Sequence, residues 1–352
     1  MVKRILYGLL IFAPLAIAGK FLGWSPIVVF VAAALTVIPL ADLIGEATEE
    51  LAIHTGPRIG GLLNATLGNA AELIITIFAV REGLLDLVKA SIAGSILGNL
   101  LLVLGMSALA GGLKHGPQTF NRRHASLNST LAVLAVVALI IPSLFSAAIA
   151  PDVVAEGRFS ESVAVVMIVL YALTVIYSFT SGQKEPLEEE GKVVHKARWS
   201  VAQSVGILAG VTVAMAIMSE LLVGSVEPVV QKLGLTQFFI GIVVIPLIGN
   251  VAEHLVAVEV ALRNKMELSI SVSLGSSLQV ALFVAPLLVF IGLLFGHPVL
   301  LVFSTFELIA LFGAALIAAL ITLDGETTWL EGAQLLAVYL IVAAAFYFLP
   351  GG

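Results

Sequence analysis

The chain has 352 residues, 60% hydrophobic and 11% charged, with formal charge −6 and mean hydropathy +1.11. A soluble domain carries about 25% charged residues, so a soluble fold is excluded and an all-α polytopic membrane protein is expected. The apolar stretches are continuous rather than alternating, which speaks against membrane strands, and the absence of cysteine removes disulfides, thiolate metal sites and cysteine nucleophiles.

A membrane helix needs about 20 apolar residues. Cutting the chain at charges, Gly/Pro pairs and polar clusters predicts eleven spans, at 5–23, 26–52, 59–80, 87–113, 125–148, 160–181, 200–223, 238–262, 268–295, 299–322 and 330–349. The first, with its Lys3–Arg4 flank and Ala-Ile-Ala at 16–18, also fits a cleavable signal peptide. With the N-terminus inside, twelve Lys and Arg fall on the inner face and five on the outer. That satisfies the positive-inside rule. No basic cluster interleaved with aromatics suggests nucleic acid.

The chain repeats itself. An offset of 181 residues places Gly68, Asn69, Ala71 and Glu72 on Gly249, Asn250, Ala252 and Glu253. It also places Gly60 on Gly241, and Gly94, Ser95 and Leu97 on Gly275, Ser276 and Leu278. Without the first span, ten remain, five per half. Five is odd, so the second half enters from the opposite face. The predicted organisation is a leading helix (1–23), a first five-helix repeat (24–181), an acidic linker (182–199) and a second, inverted five-helix repeat (200–352). Inverted repeats are typical of secondary transporters, with substrate held near the midplane between repeats. The linker's Glu185, Glu188, Glu189 and Glu190 fit either a solvated connection or a cation-attracting regulatory element.

Glu72 and Glu253 stand inside apolar stretches, where a carboxylate costs about 2.5–3.5 kcal/mol. Asn69 and Asn250, three residues earlier, share their helical faces. The repeat predicts two carboxylates and two amide oxygens around one cavity. No Lys or Arg lies at that depth. The pair must then hold a metal ion, take protons, or both. Oxygen ligands of this kind suit a hard divalent cation, and without thiolates a soft metal is not expected. Metal and proton competing for the same oxygens is the physical basis of an antiporter. The plain structural alternative is a helix–helix hydrogen bond from a protonated glutamate.

Ser95, Asn99, Ser276 and Gln279 lie on the partner spans with Gly94 and Gly275. The Gly94-xxx-Gly98 spacing fits close helix packing, and loosened backbone there could also offer carbonyl oxygens. Pro246, three residues before Gly249, removes a helix hydrogen bond and favours a break in the second half. Glu49 and Glu220 are a weaker repeat pair, placed on access routes at opposite faces. Asp42, Glu46 and Glu50 read as a solvated helix end, and Glu259 and Glu307 as interfacial. His254, beside Glu253, could tune proton handling or bond within the bundle.

At these residues the chain resembles the Ca2+/H+ antiporters, the cation/proton exchanger family of the cation/Ca2+ exchanger superfamily. The stretches ATEELAIHTGPRIGGLLNATLGNAAELI and GNVAEHLVAVEVALRNKMELSISVSLGSSLQ are similar to that family's two signature repeats. The resemblance runs over about residues 40–349. It implies eleven helices, five-plus-five inverted repeats, an acidic segment between them, and Ca2+ binding at Glu72 and Glu253 beside Asn69 and Asn250. It places the family's outer glutamates on Glu49 and Glu220. The GTSxPE-like repeats of Na+/Ca2+ exchangers are missing. The short N-terminus, unlike that of plant members, makes a prokaryotic cell-membrane protein with a cytoplasmic N-terminus the expectation.

The resulting expectation is a transporter that exports Ca2+ in exchange for H+, with no cofactor and no enzymatic activity. Its partners are Ca2+, H+ and the lipid bilayer; a homo-oligomer stays open. Exchange of another cation such as Mn2+, coupling to Na+, a passive channel and an intramembrane metal-dependent enzyme are the alternatives. The enzyme would call for HExxH or a histidine-rich set, and six histidines are present, with only His254 near the carboxylates.

Overall fold

The structure, a computed structural model, describes residues 6–149, 152–180 and 197–349. Most of the expected linker, with its four glutamates, lies outside the described residues. Thirteen helices and two short strands follow in order: α1 (Leu6–Phe21), α2 (Pro26–Leu67), α3 (Ala70–Arg81), α4 (Leu85–His115), β1 (Gln118–Thr119), α5 (Arg122–Ile149), α6 (Val153–Thr180), α7 (Val201–Val223), α8 (Val226–Leu233), α9 (Gln237–Gly249), α10 (Val251–Leu262), α11 (Met266–Phe295), α12 (Thr305–Ile321), β2 (Glu326–Thr327) and α13 (Trp329–Phe348). Among the described residues seven helices are long and apolar enough to cross a membrane, or up to nine if each bent pair is one span. The shorter apolar helices α1 and α12 coincide with the first and tenth predicted spans.

Three helices depart from the continuous spans predicted. α2 runs past residue 52 but leaves helical geometry at Gly56 (φ 82°, ψ 172°). Glycine reaches that region at little steric cost, and the following proline disfavours the helical conformation there. The spans at 59–80 and 238–262 are each broken, by 40° between the end of α2 and α3 and by 61° between α9 and α10. Both breaks fall at the Gly-Asn pair, with Asn69 at φ −99°, ψ 26° and Asn250 at φ −110°, ψ 8°. The larger bend belongs to the half carrying Pro246, which cannot donate a backbone hydrogen bond. A π-helical turn, Ile240–Val244, precedes it.

The halves are inverted. The Arg81 end of α3 adjoins the start of α4, whereas the Leu262 end of α10 adjoins its far end, where Lys114 reaches the Leu262 carbonyl. α4 and α11 each carry a π-helical segment at equivalent places, Gly98–Val103 and Val280–Val284. Such segments recur at functional sites because the wider turn redirects side chains and carbonyls. α7 packs along α2, α1 along α2, and α13 along the second half of α4. β1 pairs antiparallel with β2, Gln118 opposite Thr327.

The small residues of α4 serve close approach. A Cβ on Gly94 would overlap the Ile242 carbonyl oxygen, and one on Gly241, the residue before Ile242, would lie 2.8 Å from the Leu87 carbonyl oxygen. Backbones of α4 and α9 therefore touch. Nothing stands within 4 Å of a Cβ built on Gly98 or Gly275. Gly94→Ala is accordingly expected to cost about 1–3 kcal/mol of stability, and Gly275→Ala under about 1 kcal/mol. Thermal unfolding of the detergent-solubilised variants checks this; equal melting of the two would contradict the packing account.

Candidate ion-binding site

Each break starts a new helix, and each of the two central glutamates occupies that helix's first turn. Asn69 and Asn250 are the residues immediately before. A carboxylate in a first turn meets the positive end of the helix dipole, which offsets part of the cost of placing it among apolar helices. The asparagine side chains do not cap their own helices. They reach instead to the opposite half.

Ser276 Oγ donates to Asn69 Oδ1 at 3.2 Å, and Asn250 Nδ2 donates to Ser95 Oγ at 3.4 Å. These two contacts are the same residue pair under the 181-residue offset. Ser95 Oγ also donates to Glu72 Oε1. Two further bonds have no counterpart: Asn99 Nδ2 to Ser276 Oγ at 3.0 Å, and Asn69 Nδ2 to Gln279 Oε1 at 2.6 Å. Their repeat positions are Val280 and Gly98, which carry no polar side chain. Ser95, Asn99, Ser276 and Gln279, expected on a secondary path, thus belong to the central cluster. Asn99 stands near the middle of α4, and the cluster is buried: Glu72 is 2% exposed, Asn250 3%.

Glu72 Oε2 and Glu253 Oε2 are buried and have no hydrogen-bond partner. An unpartnered carboxylate oxygen shut away from water is costly. Among the described residues no group of three or more His, Asp or Glu could hold a metal. A cation here would be held by two carboxylates with amide, hydroxyl and carbonyl oxygens, the donor mixture of a hard divalent ion. His254 is buried, and its Nε2 also has no partner.

Of the repeat glycines, Gly68 and Gly249 sit at the breaks themselves. A Cβ on Gly68 would meet Gln279 Oε1 at 3.1 Å, while one on Gly249 would find its nearest neighbour at 3.8 Å.

The structure does not bring Glu49 or Glu220 to this cluster. Glu49 is exposed, and Glu220 pairs with Arg81 Nη2 at 3.3 Å on the surface. Glu259 pairs with Arg263 one helical turn away. Two readings of acidic residues are corrected. Glu307 is 2% exposed rather than interfacial, because its carboxylate accepts from the Ser304 backbone N–H at 2.7 Å in a capping box at the start of α12. Glu46 and Glu50 are not a solvated helix end. Glu50 accepts from the backbone N–H groups of Arg198 and Trp199 at 2.7 and 3.2 Å and from Arg198 Nε at 3.1 Å. Glu46 accepts from Arg198 and from Tyr7. The four-residue spacing of Glu46 and Glu50 put them on one face; the partner, 148 residues beyond Glu50, left no local signal.

A family profile described as sodium/calcium exchanger protein matches residues 25–180 and 203–348. The Ca(2+)/H(+) antiporter of Aphanothece halophytica is 44% identical, over 99% of this chain and 97% of its own. The Ca(2+)/H(+) antiporter ChaA of Bacillus subtilis is 41% identical over 96% of both chains. The solved structure of native YfkE is similar at a TM-score of 0.85 and 40% identity, covering 99% of this chain and 100% of that one. The chain belongs to the sodium/calcium exchanger family, among its Ca2+/H+ antiporters.

Proposed function

We propose that the chain exports Ca2+ from the cytoplasm in exchange for H+, and that Glu72 and Glu253 are the oxygens for which the two ions compete. The observation that carries this reading is the pair of buried carboxylate oxygens without partners, set in a ring of asparagine and serine side chains from both halves. Ca2+ satisfies these oxygens when bound. On its release, protons neutralise the carboxylates and permit the site to re-cross without the cost of a buried charge. Crossing empty and unprotonated is then the costly state, which couples the two fluxes. The inverted halves supply the two access states, with the cluster near the middle of the membrane.

The excess of Lys and Arg on the face holding Arg198, Arg263 and Lys265 makes that face cytoplasmic, in the cell membrane of a prokaryote. Arg81 and Glu220 then lie at the outer face. Glu49 and Glu220 act as charged lips of the routes on their own sides, which fits their exposure and their distance from the central cluster.

Glu72→Gln and Glu253→Gln are each expected to keep the fold and lose proton-driven Ca2+ uptake in proteoliposomes. Gln preserves shape but removes both the metal charge and the proton site. Uptake at the unmodified rate in either variant would sink the assignment. Lowering pH equally on both sides from about 8 to about 6 should raise the apparent Ca2+ constant, because protons then occupy the shared oxygens. A flat profile would argue against competition. Finally, Glu49→Gln should weaken Ca2+ use mainly from the cytoplasmic face and Glu220→Gln mainly from the outer face, measured in vesicles of defined orientation. Equal effects from both sides would remove them from the access routes.

A further inference from the structure

The two helix breaks match in place but not in what holds them. In the second half Pro246 stands three residues before Gly249 and cannot donate a backbone hydrogen bond, so the chain's own covalent structure favours the break. By the 181-residue offset the first half has Ala65 at that position, which imposes nothing. Two side chains act there instead. Tyr171 Oη donates to the Ala65 carbonyl at 2.6 Å, and its ring stacks on Phe283 of α11 with centroids 5.3 Å apart. Gln279 Oε1 accepts from Asn69 Nδ2 at 2.6 Å and lies 3.1 Å from where a Cβ on Gly68 would stand. Gln279 and Phe283 are four residues apart on α11, so one helix of the second half supports the first-half break twice. The repeat counterpart of Gln279 is Gly98, which has no side chain to offer Asn250.

This difference turns the two asparagines opposite ways. A side-chain amide has a donor end and an acceptor end. Asn69 gives its donor to Gln279, so its Oδ1 faces Ser276 and accepts from Oγ at 3.2 Å. Ser276 accepts in turn from Asn99 Nδ2 at 3.0 Å, which leaves its one proton for Asn69. Asn250 has no acceptor at the Gly98 position and gives its Nδ2 to Ser95 Oγ at 3.4 Å. Ser95 then gives its proton to Glu72. The repeated Asn–Ser pair therefore runs in opposite hydrogen-bond directions in the two halves. Turning the Asn69 amide over would set its oxygen against the Gln279 oxygen, so the acceptor fixes the orientation. An amide oxygen facing the cluster suits a hard cation; an NH2 group there is a donor only.

We propose that Gln279 is a positioning residue for ion binding, which fixes the Asn69 amide with Oδ1 toward the cluster and steadies the first break where the second half relies on Pro246. The inference rests on the proposed role of the central cluster as the ion site. Gln279 acts through Asn69 rather than as a ligand in its own right. Its removal should therefore matter only while Asn69 is present.

The test is a double-variant cycle on the full chain with two readouts. One is the apparent Ca2+ constant and maximal rate of proton-driven uptake in proteoliposomes; the other is the melting temperature of the solubilised protein without Ca2+. Gln279→Met keeps the side chain's length and removes the acceptor. It should raise the Ca2+ constant about fivefold, the factor for one net hydrogen bond, with a smaller change in the maximal rate, and lower the melting temperature. Added to Asn69→Ala it should change neither readout further; added to Asn250→Ala it should have its full effect. The melting cycle stays readable where Asn69→Ala binds Ca2+ too weakly to measure. Gln279→Glu keeps an acceptor in the same place and should leave the Ca2+ constant no higher than in the unmodified chain, which carries the test if Gln279→Met does not fold. An unmoved Ca2+ constant in Gln279→Met, a raised one in Gln279→Glu, or full additivity with Asn69→Ala would overturn the inference. Any of these with an inactive Glu72→Gln would do so while leaving the ion site standing. Coupling of Asn69 to Gln279 in melting alone, with Glu72→Gln and Glu253→Gln fully active, would overturn the ion-site reading and the inference with it, leaving the bond as packing.

Discussion

Two carboxylates inside an apolar helical bundle, each with an oxygen that nothing in the protein satisfies, are the constraint around which this structure is arranged. Each such group costs several kcal/mol when left charged and alone. The fold moderates that cost without removing it. It breaks two helices at Gly-Asn pairs, turns the positive ends of the new helices toward the glutamates, gives Glu72 a bond from Ser95 of its own half, and fastens Ser95 and Ser276 to asparagines of the opposite half. What remains unsatisfied is what the proposed function uses to hold a cation or a proton. A site fully satisfied by its own side chains would bind neither.

The same constraint explains why the broken helices need each other. Asn69 could cap α3 and Asn250 could cap α10, yet both side chains cross to the partner half, to Ser276 and Ser95. The cluster therefore exists only when the two repeats are assembled. Close packing makes that assembly stiff where backbones meet, at Gly94 against Ile242. The turns that join the hairpins at the two ends are built differently. One is filled by Gln118; the other leaves an open cleft beside Val299.

Much of this was legible in the sequence because the informative residues are rare ones. Gly, Asn, Glu and Ser recurring at one offset in a greasy chain locate the repeat, and the parity of five helices per half implies its inversion. The central four residues followed from the same match. The helix breaks did not follow: Gly-Asn within an apolar run is compatible with a straight membrane helix, and only Pro246 hinted otherwise. Ser95, Asn99, Ser276 and Gln279 were visible as polar residues, but their convergence on the glutamates depends on how α4 and α11 cross. The partners of Glu46 and Glu50 were illegible for another reason. Arg198 lies at the far end of the linker, and charge patterning along one helix carries no information about a residue so distant. Glu307, which lacks a repeat partner, read as interfacial; the helix in fact starts at Thr305, and Glu307 is buried in the capping box with Ser304.

The central claim is that Ca2+ and protons occupy the same oxygens. Isothermal titration of Ca2+ into the detergent-solubilised protein, repeated in buffers of different ionisation enthalpy, counts the protons displaced per Ca2+ bound. The account predicts proton release on binding near neutral pH in the unmodified chain, and its loss together with Ca2+ binding in the Glu72→Gln/Glu253→Gln double variant. Ca2+ binding without proton release, or an unchanged release in the double variant, would contradict it.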